Sequence, residues 1–129
     1  MELFRNLTER IGATYLYITH DLAVARYMVQ RIAVMYLGKI VEIGPTEKIL
    51  ANPLHPYTKA LLQAVPVPDP EVQKGEPDIL GQISKPIDPP DYCRFYDRCP
   101  LRIDSCAREK HPPLRDYDNG HCAACYVID

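Results

Sequence analysis

Two groups of side chains in this sequence can do chemistry: a histidine at the end of an apolar run, and a set of cysteines near the C-terminus. The run Tyr15-Leu16-Tyr17-Ile18 ends abruptly in Thr19-His20-Asp21, before a helical pattern begins. In an open sheet of parallel strands, ligands bind beyond the carboxyl ends of the strands, so a histidine at that point faces the crevice. Its imidazole can donate one hydrogen bond to an anionic oxygen while a backbone carbonyl holds the other nitrogen. The plainer reading is a partly buried histidine that caps the next helix.

Cys93, Cys99, Cys106, Cys122 and Cys125 all lie beyond Pro90. Met1-Glu2-Leu3-Phe4-Arg5 lacks the apolar core of a signal peptide, which points to a reducing, cytosolic setting in which thiols stay free. Metal, cluster or catalytic use then outweighs a disulfide scaffold. Spacing leaves the metal open. Cys122-Ala123-Ala124-Cys125 has the form of half a zinc site, while Cys93, Cys99 and Cys106 are spaced more widely than in zinc knuckles. Disulfides formed in air are the bland alternative. His55, His111 and His121 stand near prolines or cysteines. The first two read as helix-entry and turn residues, and His121 as outer support for the thiol site.

The elements that would position these groups follow from the apolar pattern. Leu3, Phe4, Leu7 and Ile11 share one helical face, Glu2, Arg5, Glu9 and Arg10 the other, and Gly12 stands where that helix stops. Ala13 to Ile18 does not alternate, as expected of a strand covered on both faces. Asp21 is placed to cap a helix carrying Leu22, Val24, Ala25, Met28 and Val29. Ile32 to Leu37 reads as a strand, and Gly38-Lys39 as a tight turn into Ile40-Val41-Glu42-Ile43. A short helix is predicted from Thr46 to Leu50, stopped by Asn52-Pro53. Pro56 opens another, Tyr57 to Val65, with Leu61 and Leu62 facing inward. The prolines between Pro66 and Pro90 preclude a continuous helix and predict a semi-rigid connector, with room for a short strand at 79–83. The order helix, strand, helix, strand, strand predicts the trailing half of an α/β domain with an antiparallel edge. The cysteine-bearing tail has few long apolar runs, so a cross-link or metal centre is expected to supply stability that its core cannot.

With 129 residues, 47% of them hydrophobic, the chain can bury one modest core. Fifteen Lys plus Arg against 17 Asp plus Glu give a net charge of −2, with no basic block to track a phosphate backbone. That argues against nucleic acid as a partner. No apolar run approaches the roughly 20 residues of a membrane helix. Nor is there a Gly-x-x-x-x-Gly-Lys-Ser/Thr loop to cradle phosphates, so this chain alone is expected not to hydrolyse a nucleotide.

Tyr15 to Asp21, then Leu22-Ala23-Val24-Ala25-Arg26 and Arg31 to Glu42, together resemble the C-terminal part of an ABC-transporter ATP-binding subunit. Asn52-Pro53-Leu54-His55-Pro56-Tyr57-Thr58-Lys59-Ala60-Leu61-Leu62 is similar to the His-Pro-Tyr signature of the dipeptide and oligopeptide importer subunits. The resemblance covers essentially the whole chain. It implies an α/β fold, with the trailing half of a P-loop (RecA-like) nucleotide-binding domain over residues 1–66. A C-terminal extension over 67–129 follows, made of the Pro-rich connector and a small, irregular Cys-rich tail. It implies that His20 is a switch histidine touching the ATP γ-phosphate and helping to hold the attacking water, with ATP and Mg bound only in a full subunit. It implies that Cys93, Cys99, Cys106 and Cys125 ligate a 4Fe-4S cluster, with Cys122 as an alternative fourth ligand and zinc as the alternative metal. The implied partners are a second nucleotide-binding subunit, membrane permease subunits and, indirectly, a peptide-binding protein. The implied location is cytoplasmic, peripheral on the inner face of the cell membrane. The competing reading is a stand-alone metal-binding or iron-sulfur interaction module without ATPase activity.

Overall fold

The computed structural model describes residues 2–65, 77–82 and 87–128. Helix α1 (Glu2–Ile11) stops at Gly12 as predicted, and Leu7 and Ile11 on its apolar stripe are exposed. Residues 13–19 form no strand, which corrects the expectation of a covered strand over Ala13 to Ile18. Leu16 and Ile18 are each 88% exposed. A strand buried on both faces is held by neighbouring strands and covering helices, and the described residues bring neither to this run. Its one anchor of note is the Tyr15 hydroxyl, which donates to the Met28 carbonyl. Helix α2 (Leu22–Met28) follows, with Asp21 in its predicted capping role: Oδ1 accepts the Val24 amide at 3.2 Å.

The sheet has four strands, β1 (Arg31–Tyr36), β2 (Lys39–Pro45), β3 (Arg115–Asp118) and β4 (His121–Ala123), in the order β1-β2-β4-β3. Every pairing is antiparallel, so the predicted antiparallel edge is the whole sheet among the described residues. Along β1, Ile32, Val34 and Tyr36 point inward while Arg31, Ala33 and Met35 face out, the alternation of a half-covered strand. At the turn into β2, Leu37 adopts φ +44° and Arg94 Nη1 donates to its carbonyl. The second hairpin turns on Asn119 and Gly120, at φ +42° and +85°. Those values are what a type I′ turn requires and what this residue pair tolerates. Asp116 reinforces the turn by accepting the Gly120 amide at 2.9 Å.

Between the two hairpins lie α3 (Thr46–Ala51) and α4 (Pro56–Ala64), close to their predicted bounds. Leu61 and Leu62 are half-buried. Thr46 ties α3 to the end of α2, its hydroxyl donating to the Val29 carbonyl at 2.7 Å and its amide to the Gln30 carbonyl at 3.0 Å. Of the proposed strand at 79–83, residues 79–82 carry none; the Leu80 amide donates instead to the Arg98 carbonyl at 3.0 Å. Residue 83 and the connector over 66–76 lie outside the described residues. A 3-10 turn (Tyr96–Arg98) and the short α5 (Ser105–Arg108) complete the tail.

The core crosses from one half of the sequence to the other. Val41 and Ile49 are fully buried, and they share one apolar cluster with Ile32, Val34, Tyr36, Phe95, Cys93, Cys99 and Cys106. The tail therefore does not rely on a core of its own: it contributes Phe95 and three cysteines to the common one, and β4 to the common sheet. Among the described residues no helix is long and apolar enough to cross a membrane.

Candidate functional site

The His-Pro-Tyr segment builds the entry of α4, and each of its residues has a separate task. His55 is the N-cap: its Nδ1 accepts the Tyr57 amide at 3.0 Å, one of the donors that a helix start leaves unpaired. Pro56, with its fixed φ and missing N–H, suits the first helical position. Tyr57 turns its ring onto Tyr36 (centroids 4.7 Å apart) and Phe95 (5.4 Å), so the helix start is packed against the shared core. Capping through Nδ1 requires a neutral ring. His55 is 1% exposed, and burial, helped by nearby His111, lowers its pKa to about 3. Desolvation, with Tyr36 as a second cause, also raises the pKa of Tyr57.

Beneath this entry lies a fully buried carboxylate. Glu42 on β2 accepts the Leu54 amide through Oε1 and the His55 amide through Oε2, both at 2.9 Å. Its Oε1 also meets His121 Nε2 at 2.7 Å. His121 is the first residue of β4 and is itself only 3% exposed. Sequence proximity places His121 beside the thiols, whereas the structure gives its ring to Glu42. A buried carboxylate is tolerable only when its oxygens are satisfied, and three donors do that here. Closed off from solvent in this fold, the pair organises backbone. The one sequence signal for Glu42 was a charge inside the apolar stretch Ile40-Val41-Glu42-Ile43.

The thiols divide into two kinds. Cys93, Cys99, Cys106 and Cys125 are buried, while Cys122 is half-buried on β4, opposite Ile43 and Asp116. The Cys93 amide donates to the Cys106 carbonyl at 3.1 Å, drawing those two segments together. Burial pushes the Cys93 thiol up to about 11, and Cys106, Cys125 and Cys99 add to the rise. Cys99 and Cys125 are raised as well, first by burial and then by other members of the same set. Cys93, Cys99 and Cys106 belong to one core cluster, and Cys125 lies near enough to influence their thiols. Among the described residues, however, no three His, Cys, Asp or Glu side chains are arranged to hold a metal ion. The expectation of a 4Fe-4S cluster or a zinc site finds no support in this arrangement, and all five cysteines are free thiols.

His20 is exposed at the start of α2, next to Thr19, whose Oγ1 accepts the Asp21 amide at 3.0 Å. Among the described residues no hydrogen bond or ion pair links it to the other histidines or to the thiols. His111, expected at a turn, donates its amide to the Asp91 carbonyl at 2.6 Å. Burial, then Lys39 and Arg94, lower its pKa.

The model of the oligopeptide/dipeptide transporter C-terminal region matches residues 41–106, which run from β2 through the His-Pro-Tyr entry to α5. A peptide import ATP-binding protein of Brucella ovis is 46% identical over 125 residues, 97% of this chain and 39% of its own length. The dipeptide transport ATP-binding protein of Haemophilus influenzae is 40% identical over 129 residues, covering 100% of this chain and 39% of the relative. The oligopeptide transport ATP-binding protein of Salmonella typhimurium is 39% identical over 131 residues, with the same two shares. The chain therefore spans about 39% of the length of these relatives.

Proposed function

The chain belongs to the family of oligopeptide/dipeptide transporter C-terminal regions, and on that footing we propose that it forms the C-terminal part of an ATP-binding subunit of an ABC peptide importer. The observation that carries this reading is the α4 entry. The family match runs through His55-Pro56-Tyr57, and in this fold those residues cap, open and pack one helix on the core shared by both halves. The relatives named for peptide import and ATP binding support the same assignment. In the full subunit ATP and Mg would bind to segments that this chain does not carry, since it has no phosphate loop. The assembly would be a pair of nucleotide-binding subunits on a pair of membrane permeases, fed by a peptide-binding protein and lying on the cytoplasmic face of the membrane.

Within that assembly His20 is the switch histidine, donating to the γ-phosphate and helping to hold the water that attacks it. Its place at the polar end of the Tyr15–Ile18 run and its exposed ring support this role. Its action is charge stabilisation and positioning in the transition state. In the full subunit His20→Ala is expected to lower ATP turnover about 100-fold, the scale for losing one such donor, with nucleotide affinity unchanged. Turnover within about threefold of wild type would remove His20 from the reaction, and ATPase activity of the present chain by itself would refute the reading as a whole.

For the thiols, we propose that Cys93, Cys99, Cys106 and Cys125 would ligate any metal that the chain carries: all four are buried, and Cys106, Cys125 and Cys99 each influence the Cys93 thiol. Iron and zinc analysis of anaerobically purified Cys122→Ser and Cys125→Ser tests the assignment. Metal kept in the first and lost in the second supports it, and the reverse rejects it.

A further inference from the structure

The His121–Glu42 hydrogen bond joins two regions that are far apart in sequence. On one side the Glu42 carboxylate holds the amides of Leu54 and His55, which lead into α4. On the other it holds His121 of β4, and Cys125 follows the end of that strand at Ala123. The ladder between β4 and β2 is short, with register pairs at Glu42↔Ala123 and Ile43↔Cys122, prolonged by the Ala124 amide on the Val41 carbonyl at 2.8 Å. So brief a ladder leaves the placing of Cys125 to what anchors β4. Besides its hairpin partner β3, β4 has two anchors on the rest of the fold. One is the buried bond from His121 to Glu42. The other is a close approach at Gly44, where an added Cβ would come within 3.0 Å of His121 Cα and 3.1 Å of its Cδ2. A second path closes the circuit: Cys93, Cys99 and Cys106 share a core cluster with Phe95, whose ring lies against Tyr57 and His55. Three of the four thiols thus share the apolar neighbour Phe95 with the start of α4, and the strand that leads to the fourth shares one carboxylate with it.

We propose that Glu42 and His121 form a latch coupling the four-thiol group to the entry of α4, so that a change at the thiols loosens the helix start and loosening β4 uncovers Cys125. A coupling of this kind is reciprocal, and both directions are measurable. The exposed Lys48–Asp118 bridge touches the same hairpin but is screened by water and lies outside the latch.

The test uses the whole chain and two readouts: amide hydrogen exchange at Leu54 and His55, and the rate at which a maleimide labels Cys125. Losing one buried, charge-assisted hydrogen bond corresponds to about a tenfold change in local opening or more. Cys125→Ser is expected to speed exchange at Leu54 and His55 by that factor. The Asn52 amide, bonded within α3 to the Lys48 carbonyl, keeps its protection. Gly44→Ala alters neither a thiol nor Glu42 and is expected to speed Cys125 labelling by the same factor. Lys48→Ala leaves both readouts within about twofold. His121→Asn is measured alongside Gly44→Ala, so that if one of the two fails to fold the other still tests the latch. Unchanged exchange at Leu54 and His55 in Cys125→Ser, or unchanged labelling of Cys125 in both Gly44→Ala and His121→Asn, overturns the latch. So does a loss of protection at Asn52 equal to that at Leu54, which would mean general unfolding.

Discussion

Replacing Glu42 with glutamine preserves the shape of a buried side chain bonded to three donors and changes only its charge and hydrogen bonding. Oε1 serves the Leu54 amide and His121, Oε2 serves the His55 amide, and nothing of the side chain reaches solvent. A carboxamide has one acceptor oxygen, so in either orientation its NH2 group faces a backbone N–H at hydrogen-bond distance. One charge-assisted bond is lost and at least two buried donors are orphaned, the backbone N–H and the new NH2 group, at about 1–3 kcal/mol for the backbone group alone. Adding the weakening of the remaining bonds brings Glu42→Gln to about 2–4 kcal/mol. Glu42→Ala removes the acceptor for three donors and leaves a cavity, and it is expected at about 3–5 kcal/mol. For a chain of this size a loss of ~3 kcal/mol lowers the melting temperature by on the order of 10 °C. Urea and thermal unfolding followed by circular dichroism measure both variants. If Glu42→Gln unfolds within about 0.5 kcal/mol of wild type, the carboxylate does not organise the α4 entry and the reasoning fails.

The other predictions concern pH. His55 must be neutral to cap α4, and with its pKa lowered to about 3 the folded state resists its protonation. Its contribution is therefore whole above the ordinary value of 6.5 and is lost as pH falls from there toward 3, by roughly 5 kcal/mol at most. Urea titrations at stepped pH should show a steeper acid decline for wild type than for His55→Asn, which keeps a capping acceptor but does not titrate; parallel curves would rule out the capping role. Cys93, held at about 11 mainly by burial, should label slowly at pH 8 and faster with each unit toward 11, whereas half-buried Cys122 reacts first. By the same sign rule the thiol's contribution to stability is complete below its ordinary value of 9.0 and is lost as pH rises toward 11. Equal labelling of Cys93 and Cys122 at pH 8 would contradict the buried placement.

How much of this molecule could be read from its sequence depended on how far each element's cause lies along the chain. The Asp21 cap, the Gly38 turn, α3, and α4 with its proline start are set by residues within a few positions of one another, and all appear where expected. Ala13 to Ile18 has the spelling of a covered strand, but a strand exists only through its partners, and none is present among the described residues. The tail reads in sequence as a lobe in need of a staple because its apolar residues are counted alone. In the fold Phe95 and three cysteines enter a core begun by β1 and β2, so the tail borrows the apolar surface it lacks. β4 is too short to show a period, and its one decisive contact spans 79 residues, from His121 to Glu42. Glu42 was nonetheless detectable in kind. A carboxylate inside an apolar strand must either face solvent or find donors, and Leu54-His55 at a helix entry supplies unpaired N–H groups of the sort it needs. What the sequence did not contain was the third donor, because a lone histidine beside two cysteines has its most obvious partner next to it. Tertiary pairing, by seating β4 against Gly44, assigned that ring to the carboxylate instead.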